Sequence, residues 1–396
     1  MKNIPKRVSP FRFAPSPTGD MHIGNLRVAL ISYILAKQTD NDFVVRIEDT
    51  DTERNVPNGA DNILDALLLC GMSPDRVYRQ SDMSYSDAIS KLPKYCMDSM
   101  IPVPNSMVRY NDVLRGKVSA RPKDMQEFRY IREDGRVLYN FACAVDDIRL
   151  GSSLIVRGED HLSNTTKQVA IKNLLEAEEV NYLHLPIIKD VNGSKLSKRD
   201  NSSSVMYLIN EGYLPVSIVN YLLGMGYDHN HEIYTLNESI DSYDVTKISK
   251  NQPTFDINTL KYYNREHLKA MSDLDLFTTV TSSLRCEVDI NQNKVVKYLR
   301  LFIGQYSRVT ELAVVLKFIR PDTPMIRSPL EQLCVAVLKT HSHLPWKEFL
   351  KEVKHATGLK GKELYTTLRK AMTGLSEGPE LTEVYETLYK TEEGIK

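Results

Sequence analysis

The first half of the chain alternates between two apolar periods. FRFA (11–14), DFVVRIED (42–49), SLIVRGED (153–160) and YLHLPII (182–188) each carry a short apolar run, which reads as buried strand. Between them NLRVALISYILAK (25–37) places Leu26, Ala29, Leu30, Tyr33 and Ile34 on one face at the 3.6-residue period. Residues 63–69 and TTKQVAIKNLLEA (165–177) follow the same helical rule, and VLYNFACAVDD (137–147) resumes regular patterning before the third strand. Strand, helix and strand in succession predict an α/β fold with a parallel sheet and right-handed crossovers.

Two stretches break this alternation. Between about Gln80 and Asp124 the period is lost among Pro93, Pro102, Pro104 and polar residues, which predicts an insertion between two halves of the sheet. After about Asp228 the strand signals disappear, and VVKYLRLFIGQYSRVTELAVVLKFI (295–319) and PWKEFLKEVKHATG (345–358) are amphipathic at helical spacing. The expected organisation is therefore an α/β body over 1–79 and 125–228, an insertion over 80–124, a helical connecting domain over 229–292 and an all-helical region over 293–396.

Composition narrows the picture mainly by exclusion. The 396 residues carry 51 Lys plus Arg against 51 Asp plus Glu, so nucleic-acid binding must rest on local patches. The segment 293–396 holds 17 basic residues against 12 acidic ones, a mild basic bias compatible with RNA. No apolar run reaches the ~18 residues a membrane span needs, and the N-terminal MKNIPKRVSPFRF has no signal-peptide core. Five scattered cysteines (70, 96, 143, 286, 334) without a C-x-x-C offer neither a disulfide framework nor a zinc knuckle. A soluble protein of the cytoplasm is expected.

Two motifs carry candidate chemistry. PSPTGDMHIGN (15–25) stands at a strand-to-helix junction, where glycine permits close approach and the helix start offers unpaired N–H groups and a positive dipole end to phosphate. It is neither the G-x-G-x-x-G fingerprint nor a P-loop. GSKLSKRD (193–200) puts two lysines three apart in a loop, an arrangement suited to a transferring phosphoryl group. Taken singly, the first is as readily a structural turn and the second a solvated one.

Together, His-x-Gly early and Lys-x-Ser-Lys late resemble the HIGH and KMSKS signatures of class I aminoacyl-tRNA synthetases. RFAPSPTGDMHIGN, RIEDTDTERN, YNFACAVDD, IVRGEDHLSNTTKQ and KLSKRD, in this order, resemble the glutamyl-tRNA synthetase family in its bacterial form. The C-terminal LRKAMTGLSEGPELTEVYETL is similar to the family's final anticodon-binding segment. The resemblance implies a Rossmann-like catalytic domain, a shortened insertion for the tRNA acceptor end, a stem-contact domain and an anticodon-binding region. It implies ATP-dependent attachment of L-glutamate to tRNA(Glu), and to tRNA(Gln) as an open extension, with Mg²⁺ accompanying ATP and a monomeric enzyme.

By the same likeness Arg12, Ala14, Ser16, Glu48, Tyr139, Asn140 and Arg157 surround glutamate, with Arg12 on its side-chain carboxylate and Glu48 on its ammonium. His22, Gly24, Asp160, His161, Lys195 and Lys198 surround ATP, and His22, Lys195 and Lys198 act in catalysis. A bidentate Arg fork is the natural reader of a carboxylate. Arg46 and Asp51 read instead as surface residues able to pair with each other.

The chain departs from the signatures at Asn25, Leu196 and Arg199. Cys96 alone in the insertion cannot supply the three or four ligands zinc needs, so no zinc is expected. Arg308 is a weak candidate for reading a base. Two other readings stay open: a glutamyl-queuosine tRNA(Asp) synthetase, which lacks the helical region after Asp228, and a non-catalytic tRNA-binding relative, which should have lost its phosphate-handling residues.

Overall fold

The computed structural model describes residues 9–96, 98–196, 203–227, 233–284, 291–319 and 327–390. The strands are β1 (Phe11–Phe13), β2 (Phe43–Ile47), β3 (Arg76–Arg79), β4 (Met100–Ile101), β5 (Val108–Asp112), β6 (Gly116–Ala120), β7 (Phe128–Arg129), β8 (Leu154–Gly158) and β9 (Asn181–Leu185). The helices of the first part are α1 (Ile23–Gln38), α2 (Gly59–Leu69), α3 (Ser86–Ser90), α4 (Tyr139–Leu150), α5 (Leu162–Leu174), α6 (Val205–Asn210), α7 (Pro215–Gly224) and α8 (Leu236–Ser242). Those that follow are α9 (Ile257–Ala270), α10 (Asp273–Ser283), α11 (Gln292–Phe302), α12 (Val309–Ile319), α13 (Pro329–His341), α14 (Trp346–Thr357), α15 (Gly361–Thr373) and α16 (Leu381–Val384).

Contacts divide the chain into two compact units, residues 1–209 with 218–257 and residues 210–217 with 258–396. In the first unit β1, β2 and β3 form a parallel sheet. A second sheet runs β6-β5-β9-β8, with β8, β9 and β5 mutually parallel and β6 antiparallel at the edge. β1 lies beside β8: the Ser153 N–H donates to Ser9 Oγ at 3.1 Å, and Arg12 Nη1 donates to the Val156 carbonyl at 3.0 Å. The expected α/β body with two sheet halves is present.

Helix α1 starts at Ile23, with His22 as its N-cap, and is buried more widely than one amphipathic face. Leu26, Leu30, Ile31, Ile34 and Leu35 are all fully buried, because the helix packs on β1, β2 and β8 and also meets α8. Each such side chain contributes roughly 1.5–3 kcal/mol of burial, so a charge at Leu30 would be felt by the whole sheet. Tyr33, expected on the core face, is half-buried and meets the Phe43 ring edge-on at 5.3 Å.

The stretch 80–124 is less separate than its broken pattern implies. β5 joins β9 through Asn111 and Asp112, and its alternating burial hides only Val108, Tyr110 and Asp112. One apolar face of three residues, one of them an aspartate, is too short for the period-2 signal to emerge from sequence. Tyr85, Ala88, Leu92, Cys96 and Ile101 meanwhile share a core with Phe141, Ala144 and Val145 of α4.

The second unit is helical throughout its described residues. The stretch 295–319 is not one helix: α11 ends at Phe302 and α12 begins at Val309, with Gly304 and Ser307 in the break. Helix α14 stops at Gly358, whose φ of 68° lies in the left-handed region that glycine tolerates. Its core gathers Leu299, Phe302, Leu316, Phe349, Leu368 and Tyr385 among others. Residues 229–292, expected as one connecting domain, are divided, the described ones up to 257 going with the first unit and those from 258 with the second. No helix among the described residues is long and apolar enough to cross a membrane.

Candidate active site

The loop from β1 to α1 is held by its proline carbonyls. The Glu48 N–H donates to Pro15 O at 2.9 Å and the Val56 N–H to Pro17 O at 3.0 Å, so the ends of β2 and of the turn before α2 are tied to it. Gly59 opens α2 against the same carbonyl, where a Cβ would stand 2.7 Å from Pro17 O. At the far end of the loop His22 caps α1, its Nδ1 accepting the Gly24 N–H at 3.0 Å. That leaves the ring proton on Nε2.

A cavity of about 540 Å³ opens over this loop. Arg12, Ala14 and Ser16 line it from the first strand and loop, Glu48 from the end of β2, Tyr139 from the start of α4, and Arg157 and His161 from the end of β8. A buried charge network forms its floor. Asp147 receives Arg12 through Nε at 3.1 Å and Nη2 at 3.4 Å, and Arg46 Nη1 at 2.7 Å. Arg46 Nη2 donates to Glu48 Oε1 at 2.9 Å, and the Cys143 thiol donates to the same oxygen at 3.0 Å. Burial alone would raise the Asp147 pKa, but Arg12 and Arg46, with Lys172 nearby, reverse this and hold its carboxyl far below the usual range.

Arg157 is held differently. It is 6% exposed, and its described partners are neutral: Gln168 Oε1 at 2.7 Å, the Tyr139 hydroxyl at 3.0 Å, His161 Nδ1 at 3.0 Å and Thr165 Oγ1 at 3.4 Å. Burial, reinforced by the Arg157 charge, pushes the His161 imidazole down to about 4, so it is neutral near pH 7 and accepts at Nδ1. Counting formal charges, Arg12, Arg46 and Arg157, with Lys172 near Asp147, face Asp147 and Glu48, with Asp146 beside Arg46, which leaves one net positive charge among these buried groups. A ligand bearing a net negative charge neutralises it.

A second cavity, about 150 Å³, adjoins the first through Asn25, Gly158, Asp160 and His161. His22, Gly24 and Lys195 complete its polar wall, and Leu185 to Ile188 supply an apolar one. Lys195 Nζ pairs with Asp160 Oδ2 at 2.9 Å, both side chains remaining well exposed. A Cβ at Gly158 would sit 2.5 Å from Asp160 Oδ1, so a side chain there would push the Asp160 carboxylate out of this placement. Lys198 lies outside the described residues.

The fold thus gathers Arg12, Ala14, Ser16, Glu48, Tyr139, Arg157 and His161 at one cavity and His22, Gly24, Asp160, His161 and Lys195 at its neighbour. Three expectations change. Asn140 lies off the cavity wall and accepts from Gln168 Nε2 at 3.2 Å, because the helical face turned to Glu48 runs through Tyr139, Cys143 and Asp147 at four-residue spacing. Arg46 is fully buried and pairs with Asp147 and Glu48, not with Asp51, which is exposed on the cavity rim. Arg308, in the second unit, is taken up by the carboxylates of Glu211 and Glu311. Asp147 and Cys143 escaped the sequence reading; the i, i+4, i+8 stripe within YNFACAVDD was the available signal.

Comparison with known proteins covers the same stretch of the chain. The family model described as tRNA synthetases class I (E and Q), catalytic domain, matches residues 10–98 and 86–262. A Wolinella succinogenes protein named glutamate–tRNA ligase 2 is 36% identical, over 95% of this chain and 96% of its own. The chain belongs to the glutamyl-tRNA synthetase family. A Helicobacter pylori relative, named a glutamyl/glutaminyl-tRNA synthetase, is 35% identical over 94% of this chain and 96% of its own. Among solved structures, a glutamate tRNA ligase from Elizabethkingia meningosepticum in complex with its amino acid superposes with a TM-score of 0.77 at 25% identity, covering 96% of each chain. The catalytic-domain match of this synthetase-family chain takes in both cavities and all of the described site residues.

Proposed function

We propose that the protein joins L-glutamate to the 3′ end of tRNA(Glu) through a glutamyl-adenylate intermediate. The observation that carries the reading is the buried surplus of guanidinium charge at the larger cavity, set against the His22–Lys195 cavity next door. Glutamate brings two carboxylates and one ammonium. Arg12 and Arg157 serve the carboxylates, Glu48 the ammonium, and the Tyr139 hydroxyl a further polar contact.

ATP, with the Mg²⁺ it carries as substrate, enters beside His22, Gly24 and the Asp160–Lys195 pair, and Lys198 stands three positions further along the sequence. The α-carboxylate oxygen attacks the α-phosphorus, and pyrophosphate leaves with the electron pair of the broken P–O bond. The 2′-hydroxyl of the terminal ribose then attacks the adenylate carbonyl, and AMP departs. The chemistry needs alignment and charge stabilisation more than a protein nucleophile. His22 Nε2–H and the lysine ammonium groups supply that stabilisation. The enzyme works as a monomer in the cytoplasm.

The name of the Helicobacter pylori relative favours one extension, charging of tRNA(Gln) with glutamate by this same site. The test is charging of purified tRNA(Glu), tRNA(Gln) and tRNA(Asp) with radiolabelled glutamate. Charging of tRNA(Glu) is expected. Acceptance by tRNA(Asp) alone would identify the queuosine enzyme, and failure with all three would leave a non-catalytic tRNA-binding protein.

A further inference from the structure

Behind Arg157 runs a buried polar chain that the reaction above leaves unused. Arg157 Nη1 donates to Thr165 Oγ1, which lies 2.8 Å from His184 Nε2, and His184 Nδ1 lies 2.6 Å from Asp112 Oδ2. Thr165 and His184 are fully buried and Asp112 is 3% exposed. The same Asp112 oxygen accepts the His184 N–H at 3.1 Å, while Oδ1 accepts the N–H groups of Leu114 and Arg115 at 2.9 and 2.8 Å. A carboxylate so surrounded can neither rotate nor present a donor.

The consequence is a defined direction of hydrogen bonding. An ionised Asp112 only accepts, so the His184 proton sits on Nδ1. Burial outweighs Asp112 and lowers the imidazole pKa, which leaves Nε2 with a free lone pair for the Thr165 hydroxyl. Once that hydroxyl points to His184, its oxygen lone pairs face Arg157. In the other tautomer the hydroxyl would swing to the His161 carbonyl, 3.0 Å away. Arg115, from the turn after β5, adds a side-chain tie, its guanidinium donating to the His184 carbonyl at 2.7 Å and to Glu159 Oε2 at 2.5 Å, just before His161.

We propose that Asp112, His184 and Thr165 are positioning residues for Arg157, through which the β5 hairpin sets the guanidinium that reads a glutamate carboxylate; this rests on the function proposed above. A guanidinium displaced by an ångström loses its alignment with a carboxylate even though its charge remains.

The test uses the full chain in glutamate-dependent ATP–pyrophosphate exchange with tRNA present, alongside thermal melting. Thr165→Val keeps the shape and removes the hydroxyl, and Thr165→Ser restores it. Expected is a roughly ten- to hundredfold rise in KM for glutamate in Thr165→Val, the loss typical of a hydrogen bond to a charged group. KM for ATP should stay within about twofold, Thr165→Ser should recover most of the loss, and Asp112→Asn should raise the glutamate KM by a smaller factor. Unchanged glutamate KM in both Thr165→Val and Asp112→Asn would overturn the proposal. So would equal rises for both substrates together with an earlier melt, or a serine variant as impaired as the valine. If Thr165→Val does not fold, Asp112→Asn against wild type decides by the same split. A wild-type protein without glutamate-dependent exchange refutes the functional reading itself and this proposal with it, whereas an active wild type with indifferent variants refutes the positioning role alone.

Discussion

Asp147→Asn isolates the charge that holds the floor of the site together. The substitution keeps the size of the side chain and removes one negative charge between two guanidiniums, Arg12 at 3.1 Å and Arg46 at 2.7 Å, all three being nearly or fully inaccessible. Breaking a buried ion pair from one side costs about 3–5 kcal/mol, because the remaining charges stay desolvated without their partner. Against a total stability of about 5–15 kcal/mol this is a large fraction.

The pH dependence gives the sharper check. The folded pKa of Asp147 is depressed well below its unfolded value of about 3.9, so its contribution is present above that value and is lost as pH falls. Linkage for a single such group removes about 1.3 kcal/mol by pH 3. Asn resembles a protonated Asp, so the variant has already lost the contribution and its own curve should be flatter in acid. Urea unfolding of both proteins at pH 7 and pH 3 measures the gap at each. A gap below about 1 kcal/mol at pH 7, or one that does not narrow at pH 3, would refute the ion-pair reasoning.

Three further outcomes follow from the same geometry. Gly158→Ala should raise KM for ATP several-fold with little effect on melting, because the new Cβ displaces Asp160 from Lys195; kinetics with ATP as the varied substrate show it. Arg157→Lys keeps the charge but loses the fork that reaches Tyr139, His161 and Gln168 together, so the glutamate KM should rise by about tenfold or more in the exchange assay. Lys172 is 4% exposed, and burial pushes its pKa down to about 8, below its unfolded value of about 10.4. Its ammonium therefore costs stability below pH 8. Lys172→Met should raise stability at pH 7 by no more than about 3 kcal/mol, and the gain should fade as pH climbs towards 10.4, as denaturant titrations across that range would reveal.

The sequence by itself determined the α/β body, the helical second part and most of the site. Apolar period is a local property, and the strand-to-helix junction at His22 and the lysine loop are contiguous motifs, so FRF, FVVRI, LIVRG and NYLHL could be read where they stand. Family likeness then brought the separated motifs to one place. What only the tertiary structure decided is which charges face one another once water is excluded. Arg46 looked like a surface residue because neighbouring Asp51 offered a pair in sequence. Burial matched it instead with Asp147, 101 positions away. Asn140 adjoins Tyr139 along the chain while Cys143 stands four residues on, and only the packing of α4 selects the face that carries Cys143. Asp112 lay in a stretch with no legible period, yet a ladder of two residue pairs to β9 puts its carboxylate under His184. Pairings of this kind depend on long-range register and on desolvation, which a local pattern does not encode.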